Sequence, residues 1–477
     1  MKKIIFVITF IISITLISCE DFLVREPVTG QSENLVFSTF EGVNSAALGV
    51  YAPMYSENWY GAAFLIHADI KADNAKSSPI SSGRYQTDYN WVLNPSNTNP
   101  LWATAYVTIT NACNVIDAVD EFELPEGDSI NRYEHLKAEA LFARALGHFD
   151  LVRTYAQPYS HQPNGLGVPV IVHTSLDKPA RNTTQEVYDQ ILEDLLEAER
   201  IFAAESADFV GSFNTEFRGG VLDIKGTASL GAVQGLLARV YLYMENYTKA
   251  SEYATKVIDG NYTLYDETNY TAVWGTDAAS EILFEIYGNI NQSYAPYWTE
   301  IGGMINADQG YGDVCATNGL VDLYDPADVR LGLFYEPGDY PGYFWPQFKY
   351  PGKGDYKQNN IPVLRLSEMY LIRAEAALNG GPGDAVADYN AIIENRGLAA
   401  VTNVTMNDIF DERRRELCFE GHLLYDYARL GKDLDRVDED SRITGTEDVP
   451  FPSYLWAAPI PNGEMDANEN MVQNEGY

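Results

Sequence analysis

The chain has 477 residues, with 68 Asp and Glu against 32 Lys and Arg, a formal net charge of −36. A polypeptide this acidic repels phosphate backbones, which makes nucleic acid a poor partner. Its length and 46% hydrophobic content supply a large core with more than one layer of packed elements.

In chain order the first element is an address. Lys2 and Lys3 precede an apolar run from Ile4 to Ile17 that closes on Leu16-Ile17-Ser18-Cys19. The run is about fourteen residues, against roughly twenty for a helix that spans a bilayer, so residues 1–18 read as a cleaved secretory signal and not an anchor. Leu16-Ile17-Ser18-Cys19 resembles the bacterial lipobox, in which the cut falls before the cysteine and Cys19 carries the lipid. Glu20 and Asp21 follow at once, and acidic residues there resemble the surface-export signal of Bacteroidetes lipoproteins. The expectation is a protein lipid-anchored in the outer membrane through Cys19 and exposed at the cell surface.

Apolar residues then return every three to four positions near residues 41–55, 101–121, 133–155, 185–203, 229–259, 365–394 and 407–430. That spacing predicts amphipathic helices and a mainly α fold. Loops rich in Gly, Pro, Asn and Tyr separate them at 56–100, 157–183, 204–227, 288–318 and 335–362. Loops this long are usually functional. Glu281 to Tyr287 alternates Ile282, Phe284 and Ile286, which predicts a strand in a small β element. Residues 231–259 predict a tetratricopeptide-like hairpin: Ala238 and Ala250 let two helices approach, and Tyr241 and Tyr247 fill the wedge at the turn. Residues 364–396 predict a second hairpin around a Gly380-Gly381-Pro382-Gly383 turn, and the alanines between Ala138 and Ala145 supply half of another. Long inserts separate these units, so the chain reads as a helical scaffold with excursions and not a tandem array.

Catalytic patterns do not stand out. Cys113, Cys315 and Cys418 are far apart and read as buried thiols. The six histidines include no pair at the spacing of a helical zinc site, so no metal is expected. Arg413-Arg414-Arg415 beside Glu412, Glu416 and Glu420 reads as ion pairing at helical spacing, and Arg365 with Glu368 and Arg373 with Glu375 read alike. A glycosidase needs two carboxylates facing across a cleft, and no pair is singled out. No nucleophile elbow, phosphate loop or dinucleotide fingerprint is present, so neither an enzyme nor a cofactor is expected.

The loops carry aromatic rings instead, the groups that cover the apolar faces of sugars. The clusters are Trp59 and Tyr60; Tyr85, Tyr89 and Trp91; Tyr294, Tyr297 and Trp298; and Tyr343, Phe344 and Trp345. Trp102, Trp274 and Trp456 are assigned to the core.

Taken in order, several marks resemble the SusD/RagB family of outer-membrane nutrient-binding lipoproteins. They are Cys19-Glu20-Asp21-Phe22-Leu23, the helix from Ala138 to Tyr155, and Gly167-Val168-Pro169. Ile361 to Glu368 with Ala374-Glu375-Ala376, the helix from Asp411 to Gly421, Pro459-Ile460-Pro461 and the tail from Asn470 to Tyr477 complete the set. Glu475 stands where the family usually has proline. The resemblance implies one domain over residues 19–477, with parts 19–225 and 226–477, and several tetratricopeptide-like helix pairs. It also implies capture of glycans, or of peptides in RagB-like members, on a loop-rich face that caps a SusC-like TonB-dependent transporter. By this likeness the ligand candidates are Arg84, Tyr89, Trp91 and Asn94 in one loop and Tyr294, Tyr297 and Trp298 in another; Trp59 and Trp345, from the other loop clusters, are further candidates. The alternatives are a peptide-binding uptake protein and a helical scaffold without a small ligand.

Overall fold

The computed structural model describes residues 36–477 except 122–129, 219–224, 277–279, 289–296, 309, 355–356 and 437–447. Helix α1 (Phe40–Gly49) starts where the Thr39 hydroxyl accepts from the Gly42 amide, and α2 (Ala63–Ile70) and strand β1 (Ala75–Ser77) follow. Next come α3 (Leu101–Glu121), α4 (Ile130–Tyr155), α5 (Thr184–Ala204) and α6 (Ala207–Phe217). Helix α5 begins on a capping box in which Thr183 and Glu186 each satisfy the other's backbone N–H. A hairpin of α7 (Leu230–Tyr243) and α8 (Tyr247–Ile258) precedes β2 (Ile282–Ile286), β3 (Val314–Ala316) and β4 (Ile361–Arg365). A second hairpin, α9 (Leu366–Leu378) and α10 (Ala385–Glu394), leads to α11 (Met406–Glu416) and α12 (Leu423–Arg429).

Helix α3 packs on α4, α4 on α5, α7 on α8 and α9 on α10, while α5 meets α7 and α8 meets α9, so the pairs form one continuous stack. Close approach needs small residues. A Cβ on Gly147 of α4 would lie 2.9 Å from Ile109 of α3. In the first hairpin Tyr241 stacks on Tyr253 with ring centres 5.6 Å apart, while Tyr247 is only half-buried. Tyr253 is therefore the ring partner of Tyr241, and Tyr247 packs half-buried against the core. The expected strand exists: β2 pairs antiparallel with β4, Ile286 opposite Ile361. Cys113, Cys315 and Cys418 are buried free thiols, and Trp102, Trp274 and Trp456 are core residues, as expected. Among the described residues no helix is long and apolar enough to cross a membrane.

Three stretches depart from the sequence expectation. Residues 56–100 contain α2, which is buried along its whole length and so leaves no one-sided stripe for periodicity to find. Residues 204–227 contain α6, whose Phe209, Phe213 and Phe217 recur at helical spacing behind a Ser206 cap. Residues 407–430 are two helices: α11 ends at Glu416, Phe419 and Gly421 take φ values of 60° and 82°, and α12 begins afresh. A Cβ on Gly421 would lie 3.1 Å from Leu65, so this glycine lets the chain pass against α2.

The break redirects the charges. Glu416 is fully buried and accepts from Arg330 at 2.9 Å, Arg365 at 3.0 Å and Arg396 at 2.8 Å. Burial alone would raise its carboxyl, but these guanidinium groups outweigh burial and hold it well below the usual carboxylate range. Arg365 also binds Glu420, Glu368 binds Arg239, Arg413 binds Asp426 and Arg373 binds Asp388. The structural role read from the sequence holds, with a correction: most partners come from other elements and not from the same helical face.

Candidate functional site

The pairing of β1 with β3 decides which loops meet. It sets Ala75 opposite Ala316 and Ser77 opposite Val314, so the loop from Ser78 to Pro100 is tied to the insert that follows β2. Asp313, just ahead of β3, is buried and accepts from the amide and hydroxyl of Ser82 and from Arg84 Nη1 at 3.0 Å. Arg84 also covers Tyr311, its guanidinium carbon 3.9 Å from the ring centre.

A groove of about 340 Å³ opens where these segments converge. The first loop contributes Arg84, Tyr85, Thr87 and Asp88, and further on Asn97 to Pro100; Glu57 and Asn58 precede α2, and Thr299 and Met304 belong to the insert. Tyr85 and Trp91, at φ 60° and 54°, bracket the short helical turn Gln86–Tyr89. Left-handed backbone at a bulky residue costs on the order of 1–3 kcal/mol and persists only where the surroundings fix it. Here the Trp91 indole donates to the Lys71 carbonyl at 2.8 Å, and Arg436 donates to the Tyr89 carbonyl at 2.6 Å. Asn94 Oδ1 accepts from the amides of Ser96 and Asn97, an Asx turn that sets the course of Asn97 to Asn99 along the groove.

Behind Asp88 stands His67, Nδ1 2.5 Å from Asp88 Oδ1. Burial lowers the His67 pKa, although Asp88 pulls the other way, so at neutral pH the ring is uncharged. Lys71 is also buried, and burial pushes its ammonium down to about 8.

On the insert side the turn Tyr297–Thr299 folds back over two glycines, and a Cβ on Gly303 would lie 2.1 Å from the Tyr297 carbonyl oxygen. Tyr297 is buried, whereas Trp298 is 53% exposed, one residue from the groove-lining Thr299. Glu300 is buried behind them: Asn359 donates to its Oε1 at 2.7 Å, and Oε2 has no hydrogen-bond partner among the described residues. Burial pushes this carboxyl up to about 8. A second groove of about 630 Å³ shares Asn97 to Pro100 and continues along Trp102 and Pro461 to Glu464.

Of the expected ligand residues, the structure brings Arg84 to the groove, leaves Trp298 exposed next in sequence to the lining residue Thr299, and sets Asn94 in the turn that shapes the groove. The expectation is corrected for Trp59, Tyr89, Trp91, Tyr297 and Trp345, which are buried and offer no open ring face. Trp59 stacks on Tyr60 and donates to Asp150, and Trp345 donates to the Gly312 carbonyl between Tyr340 and Tyr343. Trp91 is held between Trp456, edge-on at 5.2 Å, and the Lys71 ammonium, 4.1 Å from its ring. Long loops need cores of their own, and these rings supply them. Tyr294, Cys19 and residues 1–18 lie outside the described residues. Glu57, Asp88, Tyr311, Asp313 and the run Asn97-Thr98-Asn99 also belong to this region and are not among the residues expected from the sequence. The amide-rich stretch from Asn94 to Asn99 is a signal that could have found the last of these.

Residues 340–477 match a family described as the SusD family, and residues 21–218 one described as starch-binding associating with outer membrane. A SusD superfamily protein of Bacteroides vulgatus is similar in structure, with a TM-score of 0.79 and 31% identity over 92% of this chain and 99% of that one. The starch-binding protein SusD of Bacteroides thetaiotaomicron is 27% identical over 72% of each chain, and a SusD-like protein of Formosa agariphila is 26% identical over 100% of both.

Proposed function

The chain belongs to the SusD family, and on that premise we propose that it is a glycan-binding lipoprotein of the cell surface. It captures oligosaccharides without altering them and passes them to a SusC-like TonB-dependent transporter. Its anchor to the outer membrane is an acylated Cys19, and residues 19–477 act as one domain. The observation that carries this reading is the exposed Trp298 beside a groove lined by Asn58, Thr87, Asn97, Thr98 and Asn99. An indole face covers the apolar side of a pyranose, and amides and hydroxyls both donate to and accept from its hydroxyls. The names of the relatives point the same way, since one is a starch-binding protein.

Native gels cast with individual polysaccharides test the proposal directly. Retarded migration by at least one polysaccharide, without competition from a peptide digest, is expected. A chain retarded by no glycan but bound by peptides would overturn it. Co-purification of a β-barrel transporter with the native lipoprotein tests the delivery step.

A further inference from the structure

We infer that the ligand is an uncharged oligosaccharide and that the groove rejects glycans carrying uronate or sulfate, an inference that rests on the glycan-binding reading above. Among the described lining residues carboxylates outnumber cations two to one. Glu57 and Asp88 line the groove, and Arg84 is the single cation among its lining residues. That cation is partly neutralised: its Nη1 lies 3.0 Å from the fully buried Asp313 and the guanidinium rests on Tyr311, while the side chain stays 38% exposed. His67 behind Asp88 adds no positive charge at neutral pH, and Lys71 is turned inward against Trp91. The neighbouring groove repeats the sign. Among its described lining residues the one charge is Glu464, which accepts from the Trp102 indole at 3.2 Å. The wall shared by both grooves, Asn97 to Pro100, is uncharged. The net charge of −36 adds a field of the same direction.

An anionic sugar is recognised by a guanidinium or ammonium group free to pair with it. Among the described lining residues the one cation is already shared with the buried Asp313, so a carboxylate or sulfate on the ligand would meet Glu57 and Asp88 against a single, partly neutralised guanidinium. A neutral sugar has the opposite fit: its hydroxyls donate to Glu57 and Asp88, while the Asn97 and Asn99 amides serve either role.

The test is retardation of the full chain in native gels by a neutral set (starch, laminarin, galactomannan, arabinan) and an anionic set (polygalacturonate, alginate, carrageenan), at low and high salt, with oligolysine as a further probe. The expected result is binding to a neutral polymer, changed by salt no more than about twofold, and no binding to the anionic set. Glu57→Lys should then raise affinity for an anionic polymer by roughly tenfold at low salt. Wild-type binding to an anionic polymer that weakens as salt rises would overturn the inference while leaving glycan capture intact. Unmoved anionic affinity in Glu57→Lys would also overturn it. Binding of oligolysine with no response to any glycan would overturn the glycan-binding reading itself.

Discussion

Arg84 and Asp313 are 229 residues apart in the chain and 3.0 Å apart in space, and this pair fixes where the first loop meets the insert. Arg84 is partly exposed, so the ion pair itself contributes little. The larger contribution is positional, because the same carboxylate accepts from the Ser82 amide and hydroxyl. Asp313→Ala should cost about 1–3 kcal/mol of stability through groups left unpaired. It should also weaken ligand binding, with Asp313→Asn intermediate in both. Thermal unfolding and titration with the bound glycan check the two effects separately.

The buried charges around Glu416 make a prediction confined to stability. Glu416→Ala would leave Arg330, Arg365 and Arg396 without their shared acceptor, which should cost about 3–5 kcal/mol. The folded fraction should bind glycan as wild type does. Urea unfolding followed by far-ultraviolet circular dichroism measures the loss.

Glu300 makes a prediction about pH. Burial raises its carboxyl from an ordinary value of 4.5 to about 8, so between these values the folded chain keeps a proton that the unfolded chain releases. Stability therefore falls as pH rises through that window and levels off above it. Glu300→Gln should remove this part of the slope. Urea unfolding of both proteins at about pH 5 and about pH 8 is the check, and equal losses in the two would contradict the assignment.

Two tryptophans that look alike in the sequence should behave oppositely. Trp91→Ala should cost about 3–5 kcal/mol, because it empties a buried site and removes an indole hydrogen bond. Trp298→Ala, at the surface, should change stability by no more than about 0.5 kcal/mol. Calorimetric melting separates the two.

The helical scaffold was legible because one-sided burial leaves a period in the chain. The predicted range 101–121 and the structural α3 coincide, and 133–155 and 185–203 differ from α4 and α5 by a few residues at most. Helix α2 was illegible for the opposite reason, since a segment buried on all sides has no polar face. The Gly380 to Gly383 turn could be read from its glycines, two of which have φ of 89° and 130°. The pairing of Glu416 with Arg330, Arg365 and Arg396 could not, because no local spacing encodes a contact between β4, α11 and two distant turns. At the candidate site, the sequence named the two loop regions that converge on the groove but not which of their side chains are buried. A loop tryptophan can cover a sugar or plug its own loop, and the chain alone does not separate Trp298 from Trp91. Asp313 gave no signal, because its role exists only once β1 and β3 pair.

A glycan held by Trp298 and the adjoining groove must depend on that indole for part of its affinity. Isothermal titration of wild type and Trp298→Ala with an oligosaccharide of the polymer that retards the chain tests it most directly. Loss of a central aromatic anchor should weaken binding by about 2 kcal/mol, roughly thirtyfold in Kd, with unchanged stoichiometry in whatever binding remains. Equal affinity in the two proteins would contradict the account and place the ligand elsewhere on the surface.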